Sequence, residues 1–236
     1  SPMLSNETLF LLSRIVAKTG GVGAFRVTTG PEAPLEGVED LSLRADRAAN
    51  VRGAELLGFE RSDRPLDKLG AGDVLIVPDE ELAGEDAAGA ARAETIIVIG
   101  TTLPPWARHA AAVVLPIGNM AEEEGTFTNL RGRVQRFLQA KAAPGFARPS
   151  WFVLSDLASA LGGSGGAALP SAVFANLAAA NPAFAGMSYD THVWPDTWLF
   201  QAIIDQEGGR MLDDSGRIAF DNAIGRKMMN DLPRFV

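Results

Sequence analysis

The stretch TIIVIGTTLPPWARHAAAVVLPIGNMAEEEGTFTNLRGRVQ, residues 95–135, decides how this chain is read. It opens on Ile96-Ile97-Val98-Ile99 and closes that run with Gly100. So short a β-branched run, without alternation, suits a strand covered on both faces, as in a parallel sheet. Thr101 or Thr102 then offers a cap for a short helix, whose first turn tolerates Pro104 and Pro105. A second apolar run, Val113-Val114-Leu115, stops at Pro116. A polar loop follows, carrying Glu122, Glu123 and Glu124, the string Gly125-Thr126-Phe127-Thr128-Asn129, and then Arg131, Arg133 and Arg136. Upstream, 74–77 reads as another covered strand and 80–93 as an alanine-rich helix. Strand, helix, strand, helix, strand predicts an α/β fold. The expected form is a partial doubly wound parallel sheet with flanking helices, its ligand crevice beyond the carboxyl ends of the strands.

The flanks extend this pattern. Residues 5–18 predict an amphipathic helix with Ser5 or Asn6 as cap and Glu7 in the first turn. Leu9, Leu12, Ile15 and Val16 share its apolar face, and Gly20-Gly21 ends it. Residues 22–27 suit a short strand and 28–46 a loop. Residues 47–59 read as a capped surface helix beginning at Asn50. Past the polar loop, 137–143 is amphipathic, Ser150 offers a cap for a helix over 151–161, and 171–180 suits another helix. Gly162-Gly163-Ser164-Gly165-Gly166 has the composition of a flexible connection.

Composition removes several classes of function. The 236 residues carry a formal charge of −8 and a pI near 4.8, which argues against a nucleic-acid-binding face. No apolar run reaches the length of a bilayer-spanning helix. With no cysteine, the chain holds no disulfide, thiolate zinc site or cysteine-ligated iron–sulfur cluster. His109 and His192 are the only histidines and lie far apart, so neither a nucleophilic triad nor a histidine metal site is expected. No catalytic residue is assigned.

The string VVLP, then AEEEGTFTN, two residues, then GRVQ resembles the molybdopterin oxidoreductase family. Within that family it is most similar to the large iron–sulfur subunit of bacterial NADH:quinone oxidoreductase, respiratory complex I. The likeness extends through SPMLSNETLFLLSRI, through LRADRAANVRGAELLG (43–58) and through ARPSWFVLSDLASALG (147–162). It implies that 1–161 is a molybdopterin-oxidoreductase-like α/β region lacking the cluster-bearing domains, followed by a Gly/Ala-rich connection and short helix at 162–190. By resemblance the role is non-catalytic scaffolding, with the other subunits of the respiratory complex's hydrophilic arm as partners. The location implied is cytoplasmic, peripheral to the inner membrane through those partners. Because the chain starts at Ser1-Pro2, in line with the interior of the family, it is read as a fragment.

Residues 191–236 have a different composition and resemble an internal segment of an extracellular sugar-type solute-binding protein. They predict a small helical tail: helices over 198–207 and 222–229 and a turn at 213–216. Two interior segments joined near Thr191 suggest a chimera or a misjoined reading frame, with a natural fusion as the alternative. Read over the whole chain, this tail would point instead to an ABC-transport solute-binding protein.

Gly125, Thr126, Thr128, Asn129, Arg131 and Arg133 are the candidate ligand-binding residues. Glycine permits close backbone approach, the hydroxyls and amide offer hydrogen bonds, and arginines suit a diphosphate. In molybdopterin-dependent members, such as formate dehydrogenases, the resemblance places this loop beside a molybdopterin guanine dinucleotide. The complex I branch implies no cofactor in this chain. Three glutamates against three arginines also suit simple structural ion pairing, which is the favoured reading. The resemblance brings Asn50 and Gly53 toward the same cleft.

Overall fold

The computed structural model describes residues 1–37, 42–62, 66–80, 82–162 and 169–184. Residues Ser1–Ala183 form one compact unit and Phe184–Val236 a second, of which only Phe184 is described. The expected tail helices, the 213–216 turn, the junction and most of the Gly-rich connection therefore lie outside the described residues.

In chain order the elements are α1 (Asn6–Thr19), β1 (Ala24–Phe25), β2 (Ala33–Pro34), β3 (Ser42–Leu43), α2 (Val51–Leu56), β4 (Glu60–Arg61) and β5 (Val74–Pro78). There follow α3 (Gly84–Ala90), β6 (Thr95–Gly100), β7 (Val113–Pro116), β8 (Gly125–Thr128), β9 (Val134–Phe137), α4 (Ser150–Ala160) and α5 (Pro170–Ala180). The fold is α/β. β5, β6 and β7 make a parallel sheet in that order, with Val77 opposite Val98 and Ile99 opposite Leu115. Ile96, Val98 and Ile99 are buried in β6, whereas Val74 in β5 and Val113 and Val114 in β7 are exposed. Only the central strand is covered as the apolar runs suggested. Ala93, Ile96, Val98 and Ala107 form the core on one face of this sheet, with Trp106 and Leu75 packed against it.

Three helical expectations change. Residues 80–93 supply only the seven residues of α3, whose first residue, Gly84, has φ 56° and marks its start. Between β6 and β7 there is a single 3₁₀ turn, Pro105–Ala107, with no threonine cap. Thr101 instead donates from its N–H and hydroxyl to Asp79, at 3.0 and 2.9 Å. The loop expected at 28–46 contains the short antiparallel pair β2–β3.

The second layer is helical. α1 begins at Ser5, whose hydroxyl accepts from the Thr8 N–H at 3.2 Å, and ends at Gly20, φ 68°. Its first half is buried all round, Asn6, Glu7 and Thr8 included, so it is amphipathic only toward its C-terminus. α1 packs against α4 and α5, and its N-terminal turn against β8. α4 buries Trp151, Leu154, Ser155 and Ala158 and leaves Phe152 and the following Leu161 exposed. No helix among the described residues is long and apolar enough to cross a membrane.

Candidate functional site

The polar loop is a β-hairpin. β8 and β9 pair antiparallel, Thr126 opposite Arg136 and Thr128 opposite Val134, and Phe127 stacks on Phe137 with ring centroids 4.6 Å apart. The turn between them is built by Asn129. Its side-chain oxygen accepts from the Arg131 and Arg133 N–H groups at 2.9 and 3.0 Å, its amide donates to Gln135 at 2.9 Å, and Gly132 supplies φ 79°.

The hairpin divides the six candidate residues. Gly125, Thr126 and Thr128 face inward. A Cβ on Gly125 would stand 2.8 Å from the Ser5 Cβ, so the glycine serves close packing on α1. The Thr126 N–H and hydroxyl both donate to the Glu7 carboxylate, at 2.8 and 3.0 Å, and the Asn6 amide donates to the Thr126 hydroxyl at 3.0 Å. The Thr128 N–H donates to Asn50 at 2.8 Å and its hydroxyl to Asn6 at 3.2 Å. These groups are satisfied within the fold.

Arg131 and Arg133 point the other way. With Arg44, Arg52 and the outer edge of Thr128 and Asn129 they line a cleft of about 540 Å³ between the turn and the start of α2. The acids lining it, Glu32 and Asp46, are matched by Arg44 at 3.7 Å and Arg61 at 3.0 Å, and Arg52 pairs with Glu55. Among the described residues neither Arg131 nor Arg133 makes an ion pair. The cleft therefore carries two surplus guanidinium charges on a chain that is acidic overall.

The three glutamates do not pair with the three arginines. Only Glu124 does, with Arg136 at 2.8 Å. Glu122 pairs with Lys141 at 2.9 Å; that hydrogen bond, aided by the Asn119 N–H, holds its carboxyl below the usual range. Glu123 is buried and accepts from both the N–H and the hydroxyl of Ser150 at the first turn of α4. Ser150 is thus not the cap expected of it; Glu123 caps that turn from a distance.

Asn50 is not the cap of a surface helix either. It is fully buried, donates to the Leu4 carbonyl at 2.9 Å and accepts from the Thr128 N–H. Gly53 lies beside it, where a Cβ would come within 2.2 Å of the side-chain oxygens of Asn50 and Asn6. Both residues support the cleft from behind rather than lining it. His109 is exposed, as a surface residue would be.

One residue carried no sequence signal. Asp79, at the carboxyl end of β5, holds a left-handed backbone (φ 46°) that non-glycine residues rarely adopt. Its carboxylate receives Thr101 from the end of β6, in the crevice position of open parallel sheets.

Residues 75–160 match the molybdopterin oxidoreductase family model. The match takes in the parallel sheet, the hairpin and α4, and hence all six candidate residues. The chain is 43% identical over 82 residues to subunit alpha of F420-dependent formate dehydrogenase 2 of Methanococcus maripaludis, 34% of this chain and 12% of that one. A Bacillus subtilis protein assigned as a formate dehydrogenase is 41% identical over 80 residues, 34% of this chain and 8% of that one. Subunit alpha of the NADPH-Fe(3+) oxidoreductase of Geobacter sulfurreducens is 34% identical over 131 residues, 55% of this chain and 15% of that one. The chain thus spans 8 to 15% of the length of these relatives.

The molybdopterin group that the family match implies fits part of this donor set. Its anionic phosphate portion suits Arg131 and Arg133, which line the cleft and make no ion pair among the described residues. It does not suit Gly125, Thr126 or Thr128, whose polar groups are engaged with α1 and α2.

Proposed function

We propose that this chain is a portion of a molybdopterin-dependent oxidoreductase subunit of the formate dehydrogenase-like kind, in which the described unit forms a wall beside the cofactor. The observation that carries this is the pair of guanidinium groups without an ion pair among the described residues, Arg131 and Arg133, at a turn inside the matched segment. Bound there, a molybdopterin guanine dinucleotide would supply the redox chemistry. The chain would supply positive charge for the diphosphate, a turn held rigid by Asn129, and a hairpin fixed to the helical layer.

A second reading is the non-catalytic structural region of the large iron–sulfur subunit of an NADH:quinone oxidoreductase. The inward-facing Gly125, Thr126 and Thr128 favour it, because β8 then serves packing rather than ligand contact. Its partners would be the other subunits of the respiratory hydrophilic arm, its location cytoplasmic, and its membrane contact indirect.

Calorimetric titration of the full chain with GDP, a probe for a nucleoside diphosphate, separates the two. The cofactor-wall reading expects measurable binding that weakens at least tenfold in the Arg131→Ala/Arg133→Ala variant, with an unchanged urea midpoint. Absence of binding to the unsubstituted chain would overturn that reading and leave the scaffold.

A further inference from the structure

The cleft beside the arginine turn has two walls from distant parts of the chain. Ala49, Val51 and Arg52 belong to one, and the turn with Arg131 and Arg133 forms the other. Asn50 lies inside the first wall in sequence, but its side chain turns to the back of the cleft and is wholly buried.

Each of the four polar atoms of Asn50 is engaged, and each with a different residue. Its N–H donates to the Pro2 carbonyl at 3.0 Å, and its carbonyl accepts from the Ala54 N–H of α2 at 3.0 Å. Its side-chain amide donates to the Leu4 carbonyl at 2.9 Å, and its side-chain oxygen accepts from the Thr128 N–H at 2.8 Å. That last bond joins the walls. It leaves the chain just before Arg52 and arrives just before the turn that carries Arg131 and Arg133.

The bond takes the place of a strand. β8 pairs with β9 along one edge only, and on the other edge the Thr126 and Thr128 N–H groups are received by the side chains of Glu7 and Asn50. The Asn50 side chain has little room to swing. A side chain on Gly53 would collide with the side-chain oxygens of both Asn50 and Asn6. Asn6 in turn bonds the Thr126 and Thr128 hydroxyls at 3.0 and 3.2 Å. A short amide, buried and held at both ends, acts as a spacer of fixed length.

We propose that Asn50 is a positioning residue that sets the width of the arginine cleft, holding Arg52 on one wall at a fixed span from Arg131 and Arg133 on the other. Its meaning for ligand binding rests on the cofactor-wall reading above, whereas the span is a property of the chain alone. Several guanidinium groups can share one diphosphate only when their spacing is held. Loss of Asn50 therefore weakens binding by misplacing charge, with every arginine still present.

The test uses the absence of cysteine from this chain. Ala49→Cys and Leu130→Cys, at exposed positions on opposite walls, accept one spin label each and leave the cleft arginines intact. Double electron–electron resonance on the full, folded chain then reads the span without any ligand. Asn50→Ala should lengthen the mean distance and widen its distribution at least twofold. Leu154→Ala, which removes a buried side chain of α4 outside the cleft, should leave the distribution unchanged. If Asn50→Ala does not fold, Asn50→Gln, with the same polar groups on a longer arm, decides by lengthening the span. In parallel, GDP binding should weaken at least tenfold in Asn50→Ala and stay unchanged in Leu154→Ala. A widened span together with no GDP binding to the unsubstituted chain would overturn the cofactor-wall reading and uphold Asn50 as the spacer. A span unmoved by the Asn50 substitution, or widened equally by Leu154→Ala, would overturn the proposal.

Discussion

Asn50 and Gly53 show how much of this fold rests on single side chains. Asn50 connects the Leu4 carbonyl to the Thr128 N–H, so Asn50→Ala leaves a buried acceptor and a buried donor without partners. At roughly 1–3 kcal/mol for each stranded group, a loss of about 2–6 kcal/mol is expected from urea unfolding. Gly53→Ala should cost at least as much, because its methyl would displace the side-chain oxygens of both Asn50 and Asn6. Neither position was legible as structural in the sequence. Asparagine before a helix reads as a cap, and its burial depends on Leu4 and Thr128, 46 and 78 residues away. Glu7 and Glu123 were hidden for the same reason: a glutamate in a first turn or an acidic run reads as solvated until its distant partner is placed.

The elements divide between those encoded locally and those made by contact. The strands of the parallel sheet were legible because β-branched runs bounded by Gly100 and Pro116 leave few alternatives. The β8–β9 hairpin was not, since its short strands are polar and its inward face is filled by hydroxyls rather than apolar groups. α4 was legible in extent but not in facing. Leu154, fully buried, anchors it, so Leu154→Ala should destabilise by about 2–5 kcal/mol, read as a shift in the urea midpoint. Val113→Ala in β7, a residue 43% exposed, should cost under about 1 kcal/mol, because nearly half of that residue already meets water. Comparable losses at the two sites would contradict this assignment of core and edge.

At the scale of the whole molecule, the described unit combines a small parallel sheet with a helical layer bolted to a hairpin by buried polar groups. Its stability should depend on pH in a particular direction. An unfolded glutamate releases its proton near 4.5, whereas the folded state holds the Glu123 proton to about 7. The folded state therefore binds more protons in that window, and stability is lost as pH rises through it. The full displacement corresponds to roughly 3 kcal/mol between pH 4.5 and 8. The resemblance read from VVLP and AEEEGTFTN led to the matched family, but it could not separate the two faces of the hairpin. That separation is the centre of the functional reading: the threonines hold the strand, and the arginines meet the ligand. Backbone amide NMR of the full chain during titration with GDP tests it most directly. The expected result is movement of the Arg131, Gly132, Arg133 and Arg52 amides with Thr126 unchanged. Movement centred instead on Asp79 and Thr101, with the arginine turn still, would contradict it.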